Sequence, residues 1–145
     1  MSYETWVAVG YGTQVDHLKF SLKNLKNLIS RSPEFEKELN EYFKESGITN
    51  PGLDDYLDYD NDYHGGVAYI LKRTIDEAEN IEMSYADDAN GDWYLFYAPS
   101  YPWYTRSQEE SCLTEKTVKE IIKKYVSILS KQTVYIGYQT IENGG

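Results

Sequence analysis

The first apolar run, Thr5-Trp6-Val7-Ala8-Val9-Gly10-Tyr11, is β-branched and aromatic and predicts a strand that stops at Gly12. Trp6, Ala8 and Gly10 take one side, and Val7, Val9 and Tyr11 the other, so both faces are apolar and the strand is expected to be central. The period then lengthens. Leu18, Leu22, Leu25 and Leu28 or Ile29 recur at steps of three and four, which predicts a helix with Lys19, Lys23 and Lys26 on a different side. A second helix has clear punctuation. Ser32 is expected to cap it, Pro33 suits its first position, and Glu34 and Glu36 suit its positive end. Phe35, Leu39, Tyr42 and Phe43 form its apolar face, and Gly47 its left-handed stop.

Asn50-Pro51 repeats the cap-and-proline signature and predicts a short helix leading into the next stretch. Gly65-Gly66 opens a further helix, with Val67, Leu71, Ile75 and Ala78 on its buried side. Asp76, Glu77 and Glu79 near its end oppose the helix dipole, a placement that stability alone does not select. Ile81, Met83 and Tyr85 then alternate, Asn90-Gly91 fits a two-residue type I′ turn, and Trp93 to Tyr97 returns, which predicts a hairpin. Pro99 and Pro102 prevent residues 98–104 from continuing a central strand.

The last helix has Thr114 as cap, Leu113 and Val118 as staple, and Val118, Ile121, Ile122, Tyr125 and Leu129 facing the core. Residues 133–138 read as a closing strand. Their likeness to Val7-Ala8-Val9-Gly10-Tyr11 suggests that the two strands are neighbours. The order predicts a single α+β domain over 1–145, with a mixed or antiparallel four-stranded sheet and about four helices mainly on one face.

Composition adds to this picture without changing it. Hydrophobic residues make up 41% of 145, enough for a core, and the 15 tyrosines are expected mostly in that core or at its edge, with some left for contact. Cys112 is the single cysteine, which fits a reducing, cytoplasmic setting. No signal peptide or membrane-length apolar run is apparent.

Charge is more informative when divided along the chain. Net charge is −1 over residues 1–50, −11 over 51–110 and +2 over 111–145. Direct binding of nucleic acid needs concentrated basic surface, so such a role is not expected. The excess peaks at Asp54, Asp55, Tyr56, Asp58, Tyr59, Asp60, Asp62 and Tyr63, a run without lysine or arginine. Clustered like charge repels itself, so the run points to a cationic partner.

Other chemistries fit less well. Asp58, Asp60 and Asp62 match the first three ligands of an EF-hand loop, but Tyr63 and Tyr69 stand where glycine and a bidentate glutamate are needed. His17 and His64 lack companions at zinc-ligand spacing, and Gly10 and Gly12 are too sparse for a phosphate loop. A paired-carboxylate catalyst needs a defined cleft that a linear cluster does not establish. No catalytic residue, metal or cofactor is therefore assigned.

The expectation is a non-enzymatic acidic protein that occupies the basic, nucleic-acid-binding surface of a nuclease or defence complex. Anti-CRISPR, anti-restriction and nuclease-immunity proteins of phages and mobile elements act in this way. The partner-binding set is Asp54, Asp55, Asp58, Asp60 and Asp62, with Asp87, Asp88 and Asp92 at the hairpin tip. Tyr56, Tyr59, Tyr63, Tyr101, Trp103 and Tyr104 supply aromatic contact. The alternatives are a metal-binding or carboxylate-based enzyme using the aspartate cluster, and a scaffold or oligomer component.

Overall fold

Two glycines in the first strand decide how the sheet is built. In the computed structural model, which describes residues 5–59, 66–98 and 113–144, β1 (Thr5–Gln14) lies between β3 (Trp93–Tyr97) and β4 (Gly137–Gly144). A Cβ on Gly12 would sit 2.0 Å from the Leu95 carbonyl oxygen, and one on Gly10 would sit 2.5 Å from the Phe96 ring. Any side chain there would force β1 and β3 apart, so close backbone approach accounts for both residues.

β2 (Ser84–Asp87) completes an antiparallel sheet of order β2-β3-β1-β4. The expected neighbours do pair, with Tyr11 opposite Tyr138 and Gly12 opposite Gly137. The closing strand begins later than its sequence suggests. Val134, Tyr135 and Ile136 precede it, and the Tyr135 ring occupies the space beside Gly137 that a side chain would fill.

The sheet is strongly curled. Ala89, just beyond edge strand β2, donates its N–H to the carbonyl of Glu142 in the opposite edge strand at 2.9 Å. Four flat strands would hold those edges about 14 Å apart. Phe96 and Ile141 are buried outside the main core, as an enclosed concave side requires.

Helices α1 (Leu22–Ile29), α2 (Pro33–Glu45), α3 (Leu53–Leu57), α4 (Val67–Glu79) and α5 (Glu115–Leu129) supply the main core with Leu95 and Met83. α4 packs on β2 and β3, α5 packs on β1, and α1 bridges the two helices. The fold is the expected α+β arrangement, with five helices among the described residues.

Local signals are met unevenly. Thr114 caps α5 by accepting the Thr117 N–H at 3.2 Å. Ser32 does not cap α2. Its hydroxyl is fully buried and donates to the Ile29 carbonyl at 2.9 Å. Glu77 of α4 takes over, accepting the N–H groups of Glu34 at 3.0 Å and Phe35 at 2.9 Å. The negative charge that opposes the dipole of its own helix thus neutralises the positive end of another.

The other acids of that turn are similarly engaged. Asp76 pairs with Lys72 and accepts the Met83 N–H at 2.7 Å, while Glu79 accepts the Tyr125 hydroxyl at 2.5 Å. Each has a partner in the fold, which corrects the reading of Glu77 and Glu79 as a stability sacrifice, while Asp76 is held at a desolvation cost that its bonds only partly offset. Ala78, expected on the buried side of α4, is exposed, and Ala68, Ile70 and Thr74 widen the buried face instead. No helix among the described residues is long and apolar enough to cross a membrane.

Candidate functional site

Through Tyr59, the last described residue of the acidic stretch, the chain makes a single helical turn followed by a bend. Gly52, two residues after the predicted cap, begins α3, and the Asp55 carboxylate folds back to accept its N–H at 2.7 Å. That bond uses Asp55 in the fold. Asp54 and Asp58 lie four apart on one side of the turn, and both are exposed. Asp60, Asp62 and Tyr63 lie outside the described residues, as do Tyr101, Trp103 and Tyr104.

The two described tyrosines of the stretch turn inward. Tyr56 is 7% exposed and packs edge-on against Phe43 at 4.9 Å, so it belongs to the core and not to a contact surface. Tyr59 is half-buried, and its hydroxyl donates to Glu38 at 2.6 Å. Burial pushes that hydroxyl well above the ordinary tyrosine range, and the Glu38 carboxylate adds to the effect. Glu38 itself is held below the ordinary carboxylate range by its 2.8 Å bond from Arg73, against the opposing effect of burial, with the Tyr59 bond helping. Arg73 also donates to the Tyr69 hydroxyl at 2.5 Å and stacks on Phe35 at 4.6 Å.

These rings belong to a row that crosses the molecule. Tyr56 meets Phe43 at 4.9 Å, Phe43 meets Tyr42 at 5.6 Å, and Tyr42 meets Tyr59 at 4.9 Å. Tyr59 then meets Tyr69 at 6.4 Å, Tyr69 meets Tyr85 at 5.6 Å, and Tyr85 stacks on Trp93 at 5.8 Å. Edge-on and stacked pairs at such distances add to simple burial. Five of the 15 tyrosines are accounted for by this row. The row also ties α3, at one acidic stretch, to the hairpin that carries the other.

The hairpin loop differs from the I′ turn that Asn90-Gly91 suggests. Asp88 pairs with Asp92 through the Asp88 N–H and the Asp92 carbonyl at 2.9 Å, which leaves three residues in the loop. Gly91 takes a φ of 83°, whereas Asn90 is not among the positive-φ residues that a I′ turn requires. Asp88 explains the difference. Its Oδ1 accepts the N–H groups of Asn90 at 2.9 Å and Asp92 at 3.0 Å, an Asx turn that selects the wider loop. Its other oxygen accepts the Tyr94 hydroxyl at 3.3 Å. Asp88 is thus largely consumed by the fold, and Asp87 is half-buried at the end of β2 opposite Trp93.

Asp92 has a different neighbourhood. The register that pairs Gln14 with Tyr94 and bonds the Val15 N–H to the Trp93 carbonyl at 2.9 Å sets it across from Asp16, a residue of the β1–α1 loop that the sequence did not single out. Partial desolvation, together with the Asp16 and Asp88 carboxylates, holds Asp92 above the ordinary carboxylate range, while His17 opposes the shift. Gln14 steadies Asp16 through a 3.0 Å bond from its amide.

Between Asp16 and α3 runs a groove of about 480 Å³. Leu18, Phe20, Leu53, Leu57, Val67 and Trp93 supply its apolar lining, and Asp16 and Lys19 its charged edge. Leu53 and Leu57 come from the acidic turn, and Trp93 comes from the hairpin. The two acid-bearing elements therefore border one feature.

Sequence reasoning also missed two aromatic residues on the surface. Tyr135, just before β4, is 77% exposed, and Tyr138, within it, 60%. Among the described residues, no three of the His, Cys, Asp and Glu side chains converge in a way that could hold a metal ion. No protein-family model, curated protein or solved structure matches the chain.

Proposed function

We propose that this chain is a non-enzymatic acidic binding protein whose α3–hairpin face docks on a basic protein surface. Within that reading, the partner is a nucleic-acid-binding nuclease or defence complex, and occupation of its phosphate-binding surface inhibits it. The observation that carries the reading is that Leu53 and Leu57 of α3 and Trp93 of the hairpin line one groove with Asp16, so the elements that carry Asp54, Asp58 and Asp92 meet there. Acids separated in sequence thus act on a common region of space, where their fields add and steer a cationic partner. The apolar floor supplies what charge alone does not, a surface whose burial slows dissociation.

The test is capture from the native host's lysate on immobilised full-length protein, eluted by a salt gradient. The expected result is a basic protein released at moderate ionic strength that loses its nucleic acid when the acidic chain binds. Capture that is indifferent to salt, or unchanged after Asp54→Asn/Asp58→Asn substitution, would overturn the reading.

A further inference from the structure

We propose that the groove between α3 and the hairpin receives one arginine side chain of the basic partner, its guanidinium over Trp93 and bridging Asp16 and Asp92. The inference rests on the function proposed above and narrows it to a residue type.

Shape comes first. A long side chain needs an apolar trough for its methylenes and a polar end for its head. Leu53, Leu57 and Val67 line the trough, and Trp93 and Asp16 line it as well. Trp93 is half-buried and already stacked on Tyr85 with only 26° between the rings. A ring held on one side in this way is a preorganised platform, and indole is the best of the aromatic rings for a cation.

Charge selects the occupant. Gln14 pairs with Tyr94 and the Val15 N–H bonds the Trp93 carbonyl at 2.9 Å, so the next positions in register set Asp16 across from Asp92, two carboxylates that repel unless a proton or a cation lies between them. Neither is ion-paired with a lysine or arginine among the described residues. His17 is the one nearby group that eases Asp92, and Lys19 stands where the groove meets a neighbouring one lined by Lys131 and Gln132. A guanidinium can stack flat on a ring while its fork spans two carboxylates, whereas an ammonium is a point charge without that plane.

Two synthetic peptides of equal length and charge test the idea, one with three arginines spaced by glycines and the other with lysines in the same places. Each is titrated into the full chain, read by calorimetry and by the indole N–H resonance of Trp93. The arginine peptide should bind roughly tenfold more tightly and move the Trp93 resonance, as stacking plus bidentate pairing requires. Trp93→Leu should remove most of that preference. Asp92→Asn, which leaves the core untouched, should remove a comparable part if the Leu variant fails to fold.

Equal affinity for the two peptides with an unmoved Trp93 overturns the proposal. If Asp54→Asn/Asp58→Asn then weakens both peptides alike, the acidic docking face survives without an arginine receptor. Binding of neither peptide overturns the receptor and the broader reading together.

Discussion

Single side chains in this protein do work that their positions in sequence conceal. Glu77 looks misplaced near the end of its helix, yet it neutralises the start of α2. Removing it leaves two amide groups without a partner. We expect Glu77→Ala to lower stability by about 1–2 kcal/mol in urea unfolding. Ser32, the residue that looks like the cap, makes no capping bond. The distinction was not legible because the true cap lies more than 40 residues away in sequence. A local rule cannot name a partner brought in by tertiary packing.

Glu38 supports a pH prediction. Its folded-state carboxyl lies below the ordinary value of 4.5, so its contribution is present above that value and is lost as pH falls through the folded one. The stability lost on acidification should therefore be smaller in Glu38→Gln than in wild type. Its side chain is 42% exposed, so solvent screens the effect, and the difference should stay within about 1 kcal/mol. Asp76 works in the opposite direction. Burial raises its carboxyl despite Lys72 and the Met83 N–H, so its ionisation costs stability as pH rises above the usual range for aspartate.

At the scale of elements, periodicity and glycine placement carried most of the fold. The order of strands and helices and the central position of β1 follow from alternation and from apolar spacing, and its pairing with β4 from the likeness of residues 134–138 to residues 7–11. The two glycines of β1, too sparse for a phosphate loop, are explained by the approach of β3. Gly12→Ala should cost about 3 kcal/mol or more, because its Cβ would press on backbone and not on a movable side chain. Gly52→Ala is the comparison: its nearest contact would be 3.8 Å away, so it should cost only the roughly 0.5–1 kcal/mol of a poorer helix N-cap. Thermal melting of the two variants checks both. The hairpin was legible as a hairpin but not in its loop length, because the Asp88 side chain competes with the turn preference of Asn90-Gly91.

For the whole molecule, the acidic excess separates into charges that build and charges that face outward. Asp55, Asp76, Glu77, Glu79 and Asp88 hold backbone or side-chain groups. Asp54 and Asp58 have no such role among the described contacts and stand exposed. Asp54→Asn/Asp58→Asn should therefore fold at least as stably as wild type, since it relieves repulsion, while its association with a basic partner slows and loses salt dependence. Asp88→Ala should instead lower stability by about 1–2 kcal/mol by releasing two loop amides. Parallel melting and stopped-flow association measurements separate the two classes. Composition could report the amount of charge, but only the folded contacts distinguish its uses.

The row of rings from Tyr56 to Trp93 has an optical consequence. Neighbouring rings along it stand 4.9 to 6.4 Å apart, close enough for light absorbed by the tyrosines to pass toward the indole at the end. Tyrosine emission from the row is therefore muted while it is intact. Unfolding separates these rings, so it should raise tyrosine emission as it lowers transfer to the indole, and the row is a built-in optical probe of whether the helices and the hairpin are packed together.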